Sequence, residues 1–481
     1  IGSGAFPVGM MNEIVKAREI LAIYLPNAKD HTAYELKRHA IQECIYGVDI
    51  EHSAIDIAKL RLWLSLIVDE DDFYKIKPLP NLDYKIVRGN SLIGMPDNSF
   101  RDVKLEDEIK ELEDELFDER DKDKKDKLRS KIEKKIRQLL DSAEQFSGYK
   151  VDFDFKVFFS KVFREKKGFD IVIGNPPYKI ESKSEQIFYK GYSTINCGDL
   201  YAYFFERSIK QLLKTNGTLS FITASLYIKG LKFDSLRMYL ENNLRLISLE
   251  VQGDRVFENV QMPTAVIIGT KSDKKNNDWS FENFIPNNNI IKKIETDTKP
   301  LSKISDVMRG FEIGRDQVNS DGEVKFITGS DVSKWAIKKH SFISKRTESE
   351  YKKNEDFFKG ERILIRETGS ELTVIFLDSK LYCNRSLYSI KVRDKKYSSK
   401  YLAALLNSSL FQIYYISKFK SDTDLFPKIR IVQVNQLPIK FSENQKRFDS
   451  IVDKILSAKE KNPEADISKL EKQIDIMVYH L

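Results

Sequence analysis

A short apolar run that stops at two consecutive prolines sets the first limit on how this chain can fold. The run, Phe169–Gly174, reads FDIVIG and is followed by Asn175, Pro176, Pro177 and Tyr178. β-Branched residues with a terminal glycine are typical of a buried parallel strand, and the two prolines stiffen the loop after it by fixing φ. Because open α/β sheets bind ligands at the carboxyl ends of such strands, the sequence predicts a functional loop at 175–178.

The residue types of this loop suit an amino group attached to a conjugated ring. Asn175 offers a side-chain carbonyl, Pro176 a backbone carbonyl and Tyr178 a flat aromatic face. The lone pair of such a nitrogen is delocalised into its ring, so two acceptors that hold its N–H bonds favour the tetrahedral form, which can attack. Two prolines alone would indicate an ordinary turn with a surface tyrosine; the whole tetrapeptide after an apolar strand favours the amino-binding loop.

The segment 168–178, GFDIVIGNPPY, resembles the catalytic motif of S-adenosylmethionine-dependent amino-methyltransferases. It is most similar to the γ-type N6-adenine DNA methyltransferases of type IIG restriction-modification systems, and the resemblance covers most of the chain. It implies an α/β fold with a Rossmann-like class I methyltransferase sheet. It also implies that Asn175, Pro176, Pro177 and Tyr178 are catalytic, and that an adenine is flipped out of duplex DNA and methylated at N6.

The resemblance further implies a cofactor site for S-adenosyl-L-methionine on three loops. These loops are IGSGAF at 1–6, the end of CIYGVDI at 44–50 and the end of YKIVRGNSL at 84–92. The implied cofactor-binding residues are Gly2, Gly4, Phe6, Asp49, Ile50, Asn90 and Leu92.

The residue types of these loops support that site in part. Glycine lets the backbone approach a ligand, and an acid at the tip of a second strand can accept both ribose hydroxyls. Asp49 also fits a turn or a helix cap. Where Asn90 stands the family often carries Asp, and the asparagine could accept the same hydrogen bond through its amide oxygen.

One aromatic residue beyond the catalytic loop has two possible roles. The segment 255–258, RVFE, is similar to the family segment whose Phe stacks on the other face of the flipped base, which would make Phe257 the partner of Tyr178. Phe257 fits equally well as a core residue at a strand margin.

The remaining pattern predicts five regions. Charged residues with apolar positions three and four apart predict an inserted helical hairpin with a turn at 121–126, and short strand-like runs come after a polar stretch. That later half resembles target-recognition domains through RETGSELTVIF, CNRSLYSI and LLNSSLF. We therefore expect a methyltransferase domain at 1–275 with the hairpin at 104–144, a linker at 276–300, an α+β target-recognition domain at 301–440 and C-terminal helices at 441–481.

Composition permits double-stranded DNA as a partner without requiring it. The formal net charge is +7, from 80 Lys and Arg against 73 Asp and Glu, which is only mildly basic. Basic residues that could meet phosphates or bases, or be plain surface charges, are Arg309, Arg315, Arg366, Lys418 and Lys420.

Several other classes of site and location are not indicated. Three scattered cysteines suggest neither a disulfide framework nor zinc, and no metal constellation is expected. Asp154, Glu165 and Lys167 have nuclease-like spacing, but they directly precede the catalytic strand and we interpret them as structural. Without an apolar run of membrane length we expect no membrane contact and a cytoplasmic location. The opening IGSG is not a natural start, so residues upstream, including a nuclease domain or subunit, are expected.

Two functions from other classes compete with DNA methylation. Protein-glutamine methyltransferases resemble the same tetrapeptide, and methylation of protein glutamine or RNA would use the same nitrogen chemistry, although neither needs a large second domain. The other alternative is a non-catalytic DNA-recognition subunit whose methyltransferase fold is only a scaffold. Binding of S-adenosylmethionine would count against the scaffold.

Overall fold

The chain divides into two compact units, Ile1–Ser280 and Phe281–Leu481. A computed structural model describes residues 1–22, 24, 32–68, 82–95, 102–119, 121–252, 263–272, 279–285, 287–314, 317–350, 352–419 and 428–481.

The first unit alternates helices with strands. Its helices are α1 Ala5–Ala22, α2 Ala33–His39, α3 His52–Ile67, α4 Val103–Asp118, α5 Lys122–Ser147, α6 Phe155–Phe158, α7 Ser160–Glu165, α8 Gln186–Tyr189, α9 Leu200–Arg207, α10 Leu226–Lys229 and α11 Asp234–Asn243. Its strands are β1 Gly47–Asp49, β2 Ile86–Arg88, β3 Phe169–Gly174, β4 Leu213–Ala224, β5 Leu244–Gln252 and β6 Thr264–Lys271.

These strands form two sheets where the sequence predicts a single one. β1 pairs with β2 in parallel, and a second sheet has the order β3-β4-β6-β5, in which β3 and β4 are parallel and the other pairs antiparallel. β1 has a further backbone contact, in which the amino group of Ile1 donates to the Val48 carbonyl at 3.1 Å. Within the described residues, no ladder joins β1 to β3.

The first sheet has shorter strands than the sequence suggests. A π-type turn at Ala40–Cys44 continues α2, so β1 begins only at Gly47. The strand expected at 84–92 is limited to Ile86–Arg88. α1 begins at Ala5, two residues before the expected Pro7.

Helix α3 buries a different face from the one its apolar spacing suggests. The helical spacing of Ile57, Leu60, Leu64 and Ile67 predicts that this face is buried and that Trp63 is a core residue. In the structure Ile57, Leu60 and Leu64 are 43%, 51% and 47% exposed, and Trp63 is 36% exposed. The buried positions are Ile55, Ala58, Leu62 and Leu66. The helix is apolar on most sides, so the elements packed against it determine which of its faces is buried. Gly4 approaches this helix closely, since a Cβ at Gly4 would lie 2.8 Å from Ala58 Cα. The expected Ser53 cap is also wrong, since α3 starts at His52.

The inserted hairpin is present as α4 packed on α5. Its buried residues form one cluster with Met95, Val151 and Val157. The turn is tighter than the expected 121–126, because Asp121 caps α5 by accepting the Lys124 N–H at 2.9 Å.

The second unit combines short strands with longer helices near its end. Its helices are α12 Asn288–Glu295, α13 Leu301–Ile304, α14 Lys345–Glu350, α15 Ser399–Asn407, α16 Ser409–Phe419, α17 Ile431–Asn435, α18 Gln445–Lys461 and α19 Ser468–Tyr479. Its strands are β7 Thr298–Pro300, β8 Ser305–Arg309, β9 Val324–Ile327, β10 Val332–Ser333, β11 Ala336–Ile337, β12 Ser341–Ile343, β13 Glu361–Arg366, β14 Val374–Asp378, β15 Tyr382–Cys383, β16 Leu387–Val392 and β17 Pro438–Lys440.

An antiparallel sheet of order β14-β13-β16-β8 lies between two hydrophobic clusters. Ile363 and Ile365 of β13 face a cluster that includes residues of α15, α18 and α19, whereas Leu364 faces the cluster shared with β9 and β15. This alternation is that of a strand buried on both faces.

Three sequence expectations change in this unit. The expected linker at 276–300 contains α12 and β7, and β7 pairs with β17. The helices at 441–481 share the cluster of β13 and so form no separate domain. The apolar segment YLAALLNSSLFQIYY at 401–415 predicts one helix. The structure breaks it at Ser408, whose hydroxyl donates to the Leu405 carbonyl at 2.7 Å and accepts the Phe411 N–H at 3.3 Å.

Candidate active site

The loop 175–178 leaves β3 at its carboxyl end. Gly174 pairs with Phe221 of the parallel neighbour β4. Asn175 and Pro177 are exposed, Pro176 is buried and Tyr178 is half-buried. No described residue hydrogen-bonds the Asn175 side chain, so its amide oxygen and nitrogen are available to a ligand.

Tyr178 is held with its hydroxyl inward. The hydroxyl oxygen is buried and has no hydrogen-bond partner among the described residues. Burial raises the pKa of Tyr178 to about 12. The phenol is therefore neutral near pH 7, which leaves an uncharged aromatic ring close in sequence to the amide of Asn175.

The chain after Tyr178 is anchored to the start of α9. Lys179 O accepts the Leu200 N–H at 2.9 Å, and the Glu181 N–H donates to Gly198 O at 3.1 Å. Tyr203 Oη donates to Glu181 Oε2 at 2.7 Å. These contacts fix the chain that leaves the loop 175–178 against a buried helix.

The glycine loop and Asp49 are brought together. Asp49 Oδ2 accepts the Gly2 N–H at 2.8 Å and the Ile1 amino group at 3.2 Å, and Oδ1 accepts the Glu51 N–H at 3.0 Å. Gly2 and Gly4 have φ of +55° and +92°, a region that favours glycine. Burial raises the pKa of Asp49, but the N–H groups of Glu51 and Gly2 and the Ile1 amino group outweigh it and lower the pKa overall.

This arrangement fits a ribose only in part. A carboxylate has about four acceptor sites, and three described donors already use the oxygens of Asp49. Ile50 beside it is 57% exposed, and its carbonyl accepts Arg88 Nε at 3.1 Å. Phe6 is partly exposed in the first turn of α1.

Asn90 and Leu92 do not have the geometry expected from the sequence. Asn90 Oδ1 accepts the N–H groups of Leu92 at 2.9 Å and Ile93 at 3.3 Å, so the expected acceptor is already used to close the turn. The Leu92 side chain is 4% exposed and packs with Tyr189, Leu200 and Tyr203. It faces the chain after the catalytic loop.

Three buried charged residues were given no role in the site from the sequence. Asp154, Glu206 and Arg207 are 5%, 3% and 8% exposed. The signal was visible as a Glu-Arg pair inside the aromatic segment LYAYFFER, because charged residues are buried only when they are paired or hydrogen-bonded. The structure also makes Asp154 a helix cap, since its Oδ1 accepts the Lys156 N–H at 2.9 Å.

Of the other candidate residues, some lie outside the described residues and some are engaged in ion pairs. Phe257, Arg315 and Lys420 belong to the first group. Arg309 forms a bidentate pair with Glu367, and Lys418 pairs with Glu295.

A cleft of about 560 Å³, lined by both polar and apolar residues, lies in the second unit. Arg366 lines it with Thr328, Ser330, Thr368, Asn384 and Ser386. Arg366 Nη1 donates to Val332 O at 3.3 Å, while its Nε is buried without a partner among the described residues.

Two searches of the described residues gave negative results. No group of three or more His, Cys, Asp or Glu side chains is arranged to hold a metal ion. No helix in the same residues has the length and apolar character needed to cross a bilayer.

Comparison with known families explains the division into two units. Residues 43–257 match the Eco57I restriction-modification methylase family, and residues 324–439 match the TaqI-like C-terminal specificity domain. The chain carries an Eco57I-type methylase domain and a TaqI-like specificity domain. The resemblance to type IIG restriction-modification enzymes is thereby confirmed.

Two curated relatives support this assignment. RM.Eco57I of Escherichia coli, named a type II restriction enzyme and methyltransferase, is 28% identical over 299 residues, which cover 57% of this chain and 24% of the relative. RM.MjaORFECS2P of Methanocaldococcus jannaschii, whose name assigns it provisionally to the same class, is 27% identical over 358 residues, 58% of this chain and 30% of the relative. The chain thus spans less than a third of the length of either relative.

A solved structure shares the fold. The type IIL restriction-modification enzyme MmeI, determined in complex with DNA, aligns over 99% of this chain and 75% of its own with a TM-score of 0.51 and 11% identity. The alignment over nearly the whole chain shows that this protein shares the fold of that enzyme.

Proposed function

We propose that the protein is a site-specific DNA adenine-N6 methyltransferase of a restriction-modification or phage-defence system. The observation that carries this proposal is the loop 175–178 of the methylase domain, where the free amide of Asn175 lies close in sequence to a neutral aromatic ring. A flat base with an exocyclic amino group matches both groups. A protein glutamine or an RNA base could use the same groups, but neither target would need the TaqI-like specificity domain that this chain also carries.

The reaction then follows from positioning by this loop. Adenine N6 lies inside a duplex, so the base must be flipped out to reach the loop. Asn175 Oδ1 and Pro176 O accept the two N6–H bonds, and Tyr178 stacks on one face of the ring. Pro177 stiffens the loop through its fixed φ, which limits the reorganisation needed at each turnover. Phe257 is our candidate for the opposite face.

The cofactor is S-adenosyl-L-methionine, which supplies an electrophilic methyl group on a sulfonium. Gly2, Gly4 and Phe6 would meet its amino acid part, and Asp49 with Ile50 its ribose and adenine. The loop that contains Asn90 and Leu92 would close the site through backbone groups and the Asn90 amide nitrogen, since Asn90 Oδ1 is occupied. The fit rests on the geometry of the glycine loop, whose Gly2 N–H lies 2.8 Å from the Asp49 carboxylate at the end of β1.

Double-stranded DNA is the proposed partner of the TaqI-like specificity domain. Reading of a particular sequence by this domain would select the adenine. A nuclease domain or subunit outside this segment is also proposed, because both curated relatives are named as restriction enzymes as well as methyltransferases.

The test is transfer of a labelled methyl group to unmethylated genomic DNA, followed by digestion to nucleosides. We expect label in N6-methyladenine with the wild-type protein and its loss in Asn175→Ala. Asn242→Ala is the matched control, because Asn242 is exposed on α11 of the same domain and should leave transfer unchanged.

Three results would contradict the proposal in different ways. Label in another nucleoside would refute adenine N6 as the target. Label in protein or RNA would support a glutamine or RNA methyltransferase. Binding of DNA without binding of S-adenosylmethionine would support a non-catalytic recognition subunit.

A further inference from the structure

Two consecutive charged residues at the end of α9, Glu206 and Arg207, are almost fully buried. Burial of a charge is costly unless hydrogen bonds or an opposite charge satisfy it. Adjacent positions on a helix point about 100° apart, so the two side chains reach different surroundings. Glu206 hydrogen-bonds the chain that follows loop 175–178 directly, and Arg207 pairs with Asp154, which hydrogen-bonds the loop after β2.

Glu206 holds the chain that follows the catalytic loop. Its Oε1 accepts the Ser193 N–H at 3.0 Å, and its Oε2 accepts Ser193 Oγ at 2.9 Å and both the N–H and Oγ1 of Thr194 at 3.0 Å. Thr194 is fully buried. With the pairing of Lys179 to Leu200, this chain is attached to α9 at both of its ends.

Arg207 holds the loop that follows β2. Its Nη2 lies 3.8 Å from Asp154 Oδ2, which also accepts the Met95 N–H at 3.0 Å. A Cβ on Gly94 would lie 2.8 Å from Asp154 Oδ2 and still closer to Arg207 Nη2. The guanidinium and the carboxylate therefore occupy the space that any larger residue at 94 would need.

Tyr192 connects the two loops to each other. The Tyr192 hydroxyl donates to the Leu92 carbonyl at 3.1 Å. Burial raises the pKa of Tyr192, and the positive charge of Arg207 opposes this rise. Tyr192 directly precedes the two residues that Glu206 binds.

We propose that Glu206 and Arg207 are positioning residues that fix the base-binding loop and the cofactor loop to one rigid helix. This inference rests on the proposed methyltransferase function. Glu206 sets the catalytic loop and so controls the rate of methyl transfer. Arg207, through Asp154, sets the loop at 90–95 and so controls affinity for S-adenosylmethionine.

The first test is Glu206→Gln, which keeps the side-chain shape. Glutamine has one acceptor oxygen and an NH₂ group that cannot accept, so part of the four-bond set is lost. We expect kcat to fall by about ten- to a hundredfold, as for a small misplacement of reacting groups, while the Kd for S-adenosylmethionine stays within about twofold. Glu460→Gln, at an exposed position on α18, is the matched control and should change neither value.

The second test is Arg207→Met, which removes the charge and keeps much of the length. We expect the Kd for S-adenosylmethionine, measured by calorimetry, to rise about tenfold, as for the loss of one good hydrogen bond. A purely structural role would change kcat and Kd in the same proportion in both variants. That result would overturn the proposal.

A readout independent of activity separates this inference from the proposed function. Hydrogen exchange of the peptides across 186–197 should accelerate in Glu206→Gln and remain at the wild-type rate in Glu460→Gln. Unchanged exchange in Glu206→Gln would overturn the positioning role even if methyl transfer occurs. If the wild-type protein transfers no methyl group, the proposed function fails, and the exchange experiment still decides whether Glu206 holds this segment.

A milder variant keeps the test valid if Glu206→Gln does not fold. Thr194→Val removes one hydroxyl donor and keeps the volume and the Glu206 carboxylate. It should give a smaller fall in kcat in the same direction, and the double variant should lose less than the product of the two single effects. If the two substitutions lower kcat independently, Glu206 does not act through Thr194.

Discussion

Replacement of Arg362 by Met should destabilise the TaqI-like specificity domain by about 2 kcal/mol. Arg362 lies on β13 and has no exposed surface. Its Nη1 donates to Gly360 O at 2.8 Å and to Ser379 O at 2.5 Å, and its Nη2 donates to Leu381 O at 2.9 Å. Gly360 directly precedes β13 and the other two acceptors follow β14, so the guanidinium connects the ends of two neighbouring strands.

The magnitude follows from two opposing effects. The three hydrogen bonds that the Arg362 guanidinium donates together stabilise the folded state by about 5 kcal/mol. Burial lowers the pKa of Arg362 from 12.5 to about 10, which corresponds to a cost of about 3 kcal/mol for keeping the cation there. Arg362→Met removes both the hydrogen bonds and the cost of the buried cation. The stabilisation lost with the hydrogen bonds is larger than the cost that is removed, so the variant should be less stable. Lys retains the charge without the planar fork, so Arg362→Lys should be at least as destabilising.

Urea denaturation of the full chain, followed by the fluorescence of Trp335, measures this effect. Trp335 is 3% exposed and is the tryptophan of the second unit, so a Trp63→Phe, Trp279→Phe background isolates its signal. Arg447→Met, at an exposed position of α18, is the control for loss of a positive charge and should leave the midpoint unchanged.

Equal or greater stability of Arg362→Met would refute the reasoning. It would mean that the cost of burying the guanidinium exceeds the value of its three hydrogen bonds. If Arg362→Lys is less destabilising than Arg362→Met, the site requires the positive charge and not the planar geometry of the guanidinium.

Three further predictions concern the methylase domain. Tyr178→Phe should keep methyl transfer within about twofold, because its hydroxyl has no partner among the described residues, whereas Tyr178→Ala should lower it at least about tenfold through lost stacking; single-turnover kinetics would show both. Gly94→Ala should raise the Kd for S-adenosylmethionine about tenfold, because the added Cβ collides with Asp154 and Arg207; an unchanged Kd in calorimetry would contradict this. Asp49→Asn should be less stable than wild type at neutral pH, and the difference should shrink below about pH 4: the folded pKa of Asp49 is lowered, so its contribution is complete above the unfolded value of about 3.9 and is lost as the pH falls through the folded one. Urea midpoints of both proteins across this range would test it, and a difference that grows in acid would refute it.

Much of the local structure could be predicted from the sequence. The strand Phe169–Gly174, the two hairpin helices and short strands in the later half of the chain appear as the sequence pattern predicts. Apolar spacing fixes such elements because it depends on neighbours within a few residues. The position of the catalytic tetrapeptide at the end of β3 follows from the same local rule.

The choice among several apolar faces was not available from the sequence. Helix α3 is apolar on most sides, and its packing against α1, α2 and β2 decides that Ala58 and Leu62 are buried while Leu60 and Leu64 are exposed. The break at Ser408 likewise depends on hydrogen bonds that the apolar pattern of 401–415 does not reveal.

The sequence by itself determined the chemical groups of the candidate site, and the tertiary structure decided which of them remain available. Asn175 and Asp49 could be named because strand ends and loop residues form local patterns. That Asn90 Oδ1 is already occupied, and that Glu206 and Arg207 hold two loops together, depends on contacts between distant parts of the chain. A hydrogen bond or an ion pair is specified by distance in space, and Met95 and Asp154 become neighbours only when the domain folds.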